Sequence, residues 1–257
     1  MRRIFWEKNR KWSSLFGVGL LALAVLGLIA TSFTPKMQAN IGGYPLALDR
    51  DSVVYGRTYG EWSAAWEQWA FSIPTSSHPL FDNGDCSVGQ SGPVWFLGGK
   101  FCANNDPTCG TSNVVRSCKV PNGKALYVAV FNSEDSALED PGNPQIAGLR
   151  AFTAGQMDTA TNLALEVDGV PVEHLKERFR VQSTAFGFTI PDGNYLKSVY
   201  PPGYANFDAG TYFPAVDDGY YAMLPPLSAG HHTLHFHGFQ PQFNFTLDIT
   251  YHVYVYR

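Results

Sequence analysis

Beyond its first forty residues this chain has little positive charge. From residue 40 onward it carries 12 Lys and Arg against 21 Asp and Glu, a formal net charge of −9. An anionic surface repels phosphate backbones, so no nucleic-acid partner is expected. There is also no glycine-rich phosphate loop, no alternation of strand and helix patterns and no internal repeat, which excludes nucleotide-binding α/β folds and solenoids. After residue 33 no apolar run is long enough to span a membrane. Ser91, in Gln90-Ser-Gly92, lacks the flanking glycines of a strained nucleophile elbow, and no His/Asp pair can be assigned to it from sequence.

The N-terminus has what the rest lacks. Arg2, Arg3, Lys8, Arg10 and Lys11 form a basic segment, Leu15 to Ala30 is free of charge, and a polar stretch ends at Ala39. That is the layout of a secretory signal, 1–39. Extended to Phe33 the apolar run also suits an uncleaved anchor, 15–33. Either way residues 40–257 are expected as a single exported domain, periplasmic or extracellular, touching a membrane only through this segment.

Cys86, Cys102, Cys109 and Cys118 are the four cysteines, all within 33 residues. In an exported chain they suggest two disulfides, for which three pairings exist. Cys102–Cys109 nested inside Cys86–Cys118 is favoured, because Ala103 to Thr108 is turn-rich. The spacings contain no Cys-x-x-Cys, which argues against a four-thiolate zinc site. The acidic turn Asp82-Asn-Gly-Asp85 matches no complete calcium loop and reads as solvated.

With 45% hydrophobic and 14% aromatic residues the chain can bury a sizeable core. Thr58 to Ser72 reads as a helix with a Thr58/Glu61 capping box, and Pro74 lies beyond its end. Trp62, Trp66 and Trp69 share one face, a spacing that burial requires, although it would also serve an aromatic platform. Residues 75–123 read as loop with one strand at 93–97. Lys124 to Asn132 reads as a central strand, and Ala147 to Thr161 as a second helix. Leu163 to Val172 reads as a hairpin turning at Asp168-Gly169, followed by a helical turn at 173–177 and a strand over 178–190. Gly219 to Arg257 reads as three consecutive antiparallel strands. The fold class expected is mainly β: an antiparallel sandwich, Ig-like or jelly-roll, with one or two packed helices.

Tyr59-Gly-Glu-Trp-Ser63, Gln90-Ser-Gly-Pro-Val-Trp95, Asp218-Gly-Tyr-Tyr221 and Leu224 to Leu234 resemble a group of functionally uncharacterised exported bacterial proteins. The resemblance implies export and a single domain, and carries over no catalytic residue.

Two regions are candidates for chemistry. On a strand, His231, Thr233, His235 and His237 share one face while His232, Leu234 and Phe236 share the other. His231, His235 and His237, with His252 on the next strand, could ligate zinc or copper. His235-Phe-His-Gly238 is similar to one motif of multicopper oxidases, whose other motifs are missing here. The alternative is an ordinary polar strand face and no cofactor. Second, Tyr200, Tyr204, Phe207 and Tyr212 crowd one loop region, where exposed rings would stack on sugar or pack on a protein, unless the loop folds back over them. The carboxylates Glu61, Glu67, Asp217 and Asp218 cannot be placed across a cleft from sequence. The expectation is therefore a non-catalytic binding or envelope-associated protein with an unknown protein or carbohydrate ligand. The rival is a metal-binding protein or metal-dependent enzyme built on the histidine strand.

Overall fold

The computed structural model describes residues 40–257 except 42, 43 and 112, so the leader or anchor expected over 1–39 lies outside the described residues. Among the described residues no helix is long and apolar enough to cross a membrane. After a two-rung hairpin, β1 (Asn40–Ile41) and β2 (Tyr44–Pro45), comes helix α1 (Tyr59–Phe71). Its start is a complete capping box, with the Thr58 side chain accepting from the Glu61 N–H and Glu61 accepting from the Thr58 N–H.

Ten more strands follow: β3 (Val94–Leu97), β4 (Val114–Pro121), β5 (Ala125–Ser136), β6 (Thr161–Val167), β7 (Val170–Pro171), β8 (Arg180–Gln182), β9 (Phe186–Ile190), β10 (Gly210–Leu224), β11 (Gly230–Gln240) and β12 (Phe245–Tyr256). Helix α2 (Ile146–Asp158) and the single turns α3 (Leu175–Arg178) and α4 (Leu196–Val199) lie between them. The first large sheet runs β3-β5-β10-β8 with β9 also on β10, and the second runs β4-β12-β11-β6-β7. The chain is mainly β and sandwich-like. Each sheet contains one parallel pair, β3 on β5 and β12 on β4, so both are mixed rather than antiparallel throughout.

Three expectations are corrected. The terminal strands do not stay together, because β10 belongs to the first sheet while β11 and β12 belong to the second. The stretch 75–123 holds a second strand, β4, whose pairing with β12 is too distant in sequence to leave a local signal. The strand expected over 178–190 is broken into β8 and β9, both on β10.

The first sheet is covered on both faces. Ala125 to Phe131 of β5 are all buried, as are Ala215 to Leu224 of β10. One cover is α1, whose three indoles are core residues with satisfied N–H groups: Trp62 donates to Val54 O (2.8 Å), Trp66 to Leu97 O (2.9 Å) and Trp69 to Val88 O (3.0 Å). Burying each stabilises the fold by roughly 2–3 kcal/mol. Both disulfides form in the favoured pairing, Cys86–Cys118 and Cys102–Cys109, with Cα separations of 5.6 and 5.5 Å. The acidic turn at 82–85 is used internally: Asp82 pairs with Arg116 Nε at 2.6 Å, and Asp85 accepts from Ser87 N–H at 2.7 Å.

Candidate functional site

The second sheet shows strict alternation. Along β12, Leu247, Ile249, Tyr251, Val253 and Val255 are buried, while Thr246, His252, Tyr254 and Tyr256 are exposed. Along β11, His232, Leu234 and Phe236 point inward, and His231, Thr233, His235 and His237 point outward. A strand buried on one face must alternate in this way. Its outward row is thus an uncovered surface in which His231 sits opposite Tyr254, Thr233 opposite His252, His235 opposite Thr250 and His237 opposite Asp248. Ser117 and Lys119 of β4 lie opposite His252 and Tyr254 on the other side.

The three proposed ligands separate on this face. His235 and His237 are adjacent, with ring centroids 5.6 Å apart, and border an open recess of about 700 Å³ with Asn162, Thr246 and Asp248. His235 Nε2 lies 3.0 Å from Asp248 Oδ1. His231 stands four residues away along the strand, ~13 Å at the usual rise, with its ring 4.7 Å from that of Tyr254. His252 faces Thr233 instead. No group of three or more His, Cys, Asp or Glu among the described residues is arranged to hold a metal ion.

The aromatic loop mostly turns inward. Phe207 is buried, Tyr200 is half-buried and donates its hydroxyl to Glu139 Oε1 (3.0 Å), and Tyr212 donates to Asp208 O (2.8 Å). Tyr204 is the exposed member, stacked on Tyr200 at 4.5 Å.

A second feature was not legible in advance. Glu67 of α1 and Asp217 of β10 meet inside the molecule, bridged by Asn132 of β5, which donates to Glu67 Oε1 (2.7 Å) and to Asp217 Oδ1 (3.3 Å). Ser63 and Tyr221 also donate to Asp217 Oδ2. Close by, Glu134 faces Glu139, which accepts from Ser136 Oγ (2.6 Å) and Tyr200. Burial, reinforced by the charges of Asp217 and Glu139, pushes Glu67 well above the usual carboxylate range. Burial also raises Asp217 to about 7, against the pull of Ser63 and Tyr221. Burial and the neighbouring acids raise Glu134, and burial with Glu139 raises Asp135 to about 7. Burial thus favours the uncharged form of Glu67 and Glu134, while Asp217 and Asp135, at about 7, lie close to half-protonated at neutral pH. Glu61, by contrast, is spent on its helix cap, and Asp218 is neutralised by Arg180 (Nε–Oδ1 2.9 Å).

No family model matches the chain, and no characterised protein matches it in sequence. One solved structure, described as the structure of PbICP-C in complex with falcipain-2, is matched over 64% of this chain and all of that one. The identity is 9% and the TM-score 0.24, a likeness that carries no argument about fold or function.

Proposed function

We propose that this chain is an exported, envelope-associated binding domain that engages an extended, uncharged polysaccharide through the outward face of its second sheet. The observation that carries this reading is the contrast between sheets: the first is buried on both faces, while the outward row of the second stays open. That row combines ring faces (His231, Tyr254, Tyr256) with short hydrogen-bonding side chains (Ser117, Thr233, Thr250, His252). Sugar rings stack on such faces while their hydroxyls find donors and acceptors beside them. Large aliphatic groups are scarce there, with Val115 the prominent one, which disfavours a protein interface built on an apolar centre. The acidic balance of the domain disfavours an anionic polymer. The disulfides and the resemblance of residues 59–63, 90–95, 218–221 and 224–234 to exported bacterial proteins support export.

Sedimentation with insoluble neutral glucans and with purified cell-wall sacculi tests the reading. The native domain is expected to co-sediment, and a Tyr254→Ala/Tyr256→Ala double variant to lose roughly 10-fold or more in affinity, each ring contributing about 1 kcal/mol. Failure to bind any of these polymers, or binding indifferent to both tyrosines, would remove the proposal. Retention by envelope proteins alone would replace it with a protein partner.

A further inference from the structure

At the end of β11 distant from the His235 recess, three side chains meet that share no local sequence motif. Asp168 occupies the turn of the β6–β7 hairpin with φ +53°, followed by Gly169 at φ +75°. That turn lays Asp168 alongside the start of β11. Its main-chain N–H donates to Thr233 O (2.8 Å) and its Oδ1 accepts from Thr233 N–H (2.8 Å), so the carboxylate is held from two sides. The other oxygen, Oδ2, lies 2.7 Å from Nδ1 of His232. The His232 side chain is only 8% exposed, which fixes its ring. Its far nitrogen, Nε2, lies 3.2 Å from the hydroxyl of Ser228, an exposed residue in the turn that precedes β11.

We propose that Ser228, His232 and Asp168 form a nucleophilic triad that gives this chain acyl-transfer activity toward short-chain carboxylic esters. The inference is independent of the polysaccharide reading and uses a different set of residues. Its warrant is that a triad is defined by geometry and roles, not by order in the chain. Asp168 is a positioning residue: by accepting a hydrogen bond from Nδ1–H it selects the tautomer whose Nε2 lone pair is free to accept from the serine hydroxyl. Ser228 Oγ attacks the ester carbonyl carbon, its proton passes to Nε2, and the carbonyl electron pair moves onto oxygen. The main-chain N–H of Ala229 makes no hydrogen bond within the described residues and is the adjacent donor for that oxyanion. Collapse of the intermediate breaks the bond to the alkoxy group, which leaves as an alcohol with the proton from Nε2. Water then releases the carboxylic acid by the same two proton transfers and restores the serine. The main-chain oxygen of Ser228, 3.0 Å from Nε2, accepts from the imidazolium formed in between. Ser228 and Ala229 are both exposed, so a small acyl group on an accessible ester is the class that fits.

The rival is a purely structural staple, in which His232 ties the hairpin turn to the loop before β11. A fluorophosphonate probe on the full chain, read by intact mass and peptide mapping, separates the two. The triad requires stoichiometric labelling at Ser228, none in Ser228→Ala, and a rate lowered at least ~100-fold in His232→Gln and in Asp168→Asn, the usual size of a lost general base. An initial burst of 4-nitrophenol from 4-nitrophenyl acetate should match the labelled fraction. A folded native chain that the probe leaves untouched at Ser228 overturns the proposal, as does labelling that proceeds equally in a folded His232→Gln chain. Should His232→Gln and Asp168→Asn both unfold, Ser228→Cys decides. Alkylation of that thiol by iodoacetamide at least ~10-fold faster than free cysteine supports an imidazole acting on position 228. A rate equal to that of free cysteine counts against it.

Discussion

Asp217 and Asp218 are consecutive, both fully buried, and chemically opposite. Alternation on β10 turns Asp218 toward Arg180 and Gln182, where it is paired with a guanidinium, and turns Asp217 toward Glu67, Ser63 and Tyr221, where burial raises it to about 7. The two should respond differently to an amide. Asp218→Asn removes the buried partner of Arg180, which keeps Asp158 and the Ala154 carbonyl, and should cost ~2–3 kcal/mol at any pH near neutral. Asp217→Asn replaces a neutral acid by a neutral amide and should be within ~1 kcal/mol of the native chain at pH 5. The sign of the pH effect follows from the raised values. A carboxyl raised in the folded state binds its proton more tightly there than in the unfolded chain. Its stabilisation is therefore complete below the unfolded value, near 4, and is lost as pH climbs through about 7 for Asp217 and Asp135, with Glu67, also raised well above its ordinary value, acting in the same direction. The lowered acids Asp49, Glu61, Asp85 and Asp106 act oppositely at the acid end, where their exposure keeps the contribution small, and buried His78, lowered from 6.5 to about 4, opposes the trend between those two values without outweighing several raised carboxyls. Urea unfolding at pH 5 and pH 8 checks this: the native chain should be more stable at pH 5, and Asp217→Asn should reduce the difference. Greater stability at pH 8 would mean the carboxyls are ionised. The sequence shows all these acids, but it does not show which of two neighbours will meet an arginine, because Arg180 arrives from a strand 38 positions away in the chain.

At the scale of elements, what could be read ahead was whatever short-range chemistry determines. Helix α1 announces itself through Thr58, Glu61 and three indoles at helical spacing, all of them local. Thr58→Ala should lower stability by about 1 kcal/mol, the usual worth of an N-cap. Trp66→Ala should cost ~3–5 kcal/mol, since its ring packs edge-on against Trp69 and Tyr221 and leaves a large void. Thermal melts of the two variants should rank them in that order. A Cβ on Gly98 would collide with the Trp66 ring, so the loop after β3 and the helix face are fitted to one another. The fate of β10 had no such local marker. Its pattern is that of any strand buried on both faces, and the Pro225-Pro226 punctuation that ends it is equally compatible with a hairpin to β11 or with a crossing to the other sheet. The candidate triad was hidden for a related reason. His232 counts as a core position by alternation, and its partners come from a hairpin turn 64 residues upstream and from the loop four residues before it.

Over the whole molecule, the chain between β3 and β4 crosses from the first sheet to the second; the inner disulfide sits on this passage and the outer one brackets it. Cys118 lies on β4 in the second sheet, whereas Cys86 lies in the loop whose Val88 carbonyl accepts from the Trp69 indole. The outer disulfide therefore ties a strand of one layer to the loop that accepts the indole of the helix covering the other. Arg116, two residues before Cys118, extends the tie through Asp82, the carbonyls of Gly98 and Gly99, and the Tyr251 hydroxyl. Parallel pairing of β4 with β12 joins residues about half the chain's length apart, so closing it is entropically expensive, and the disulfides offset part of the total ordering cost by restricting the unfolded chain over 86–118. Loop-closure entropy predicts that opening Cys86–Cys118, with its separation of 32 residues, costs about 3–4 kcal/mol, and opening Cys102–Cys109, separated by 7, about 2–3 kcal/mol. Paired Cys→Ala variants measured by urea unfolding should keep that ranking. If loss of the inner pair proved the more damaging, the crossing passage, and not the tie between layers, would be what the cysteines chiefly stabilise.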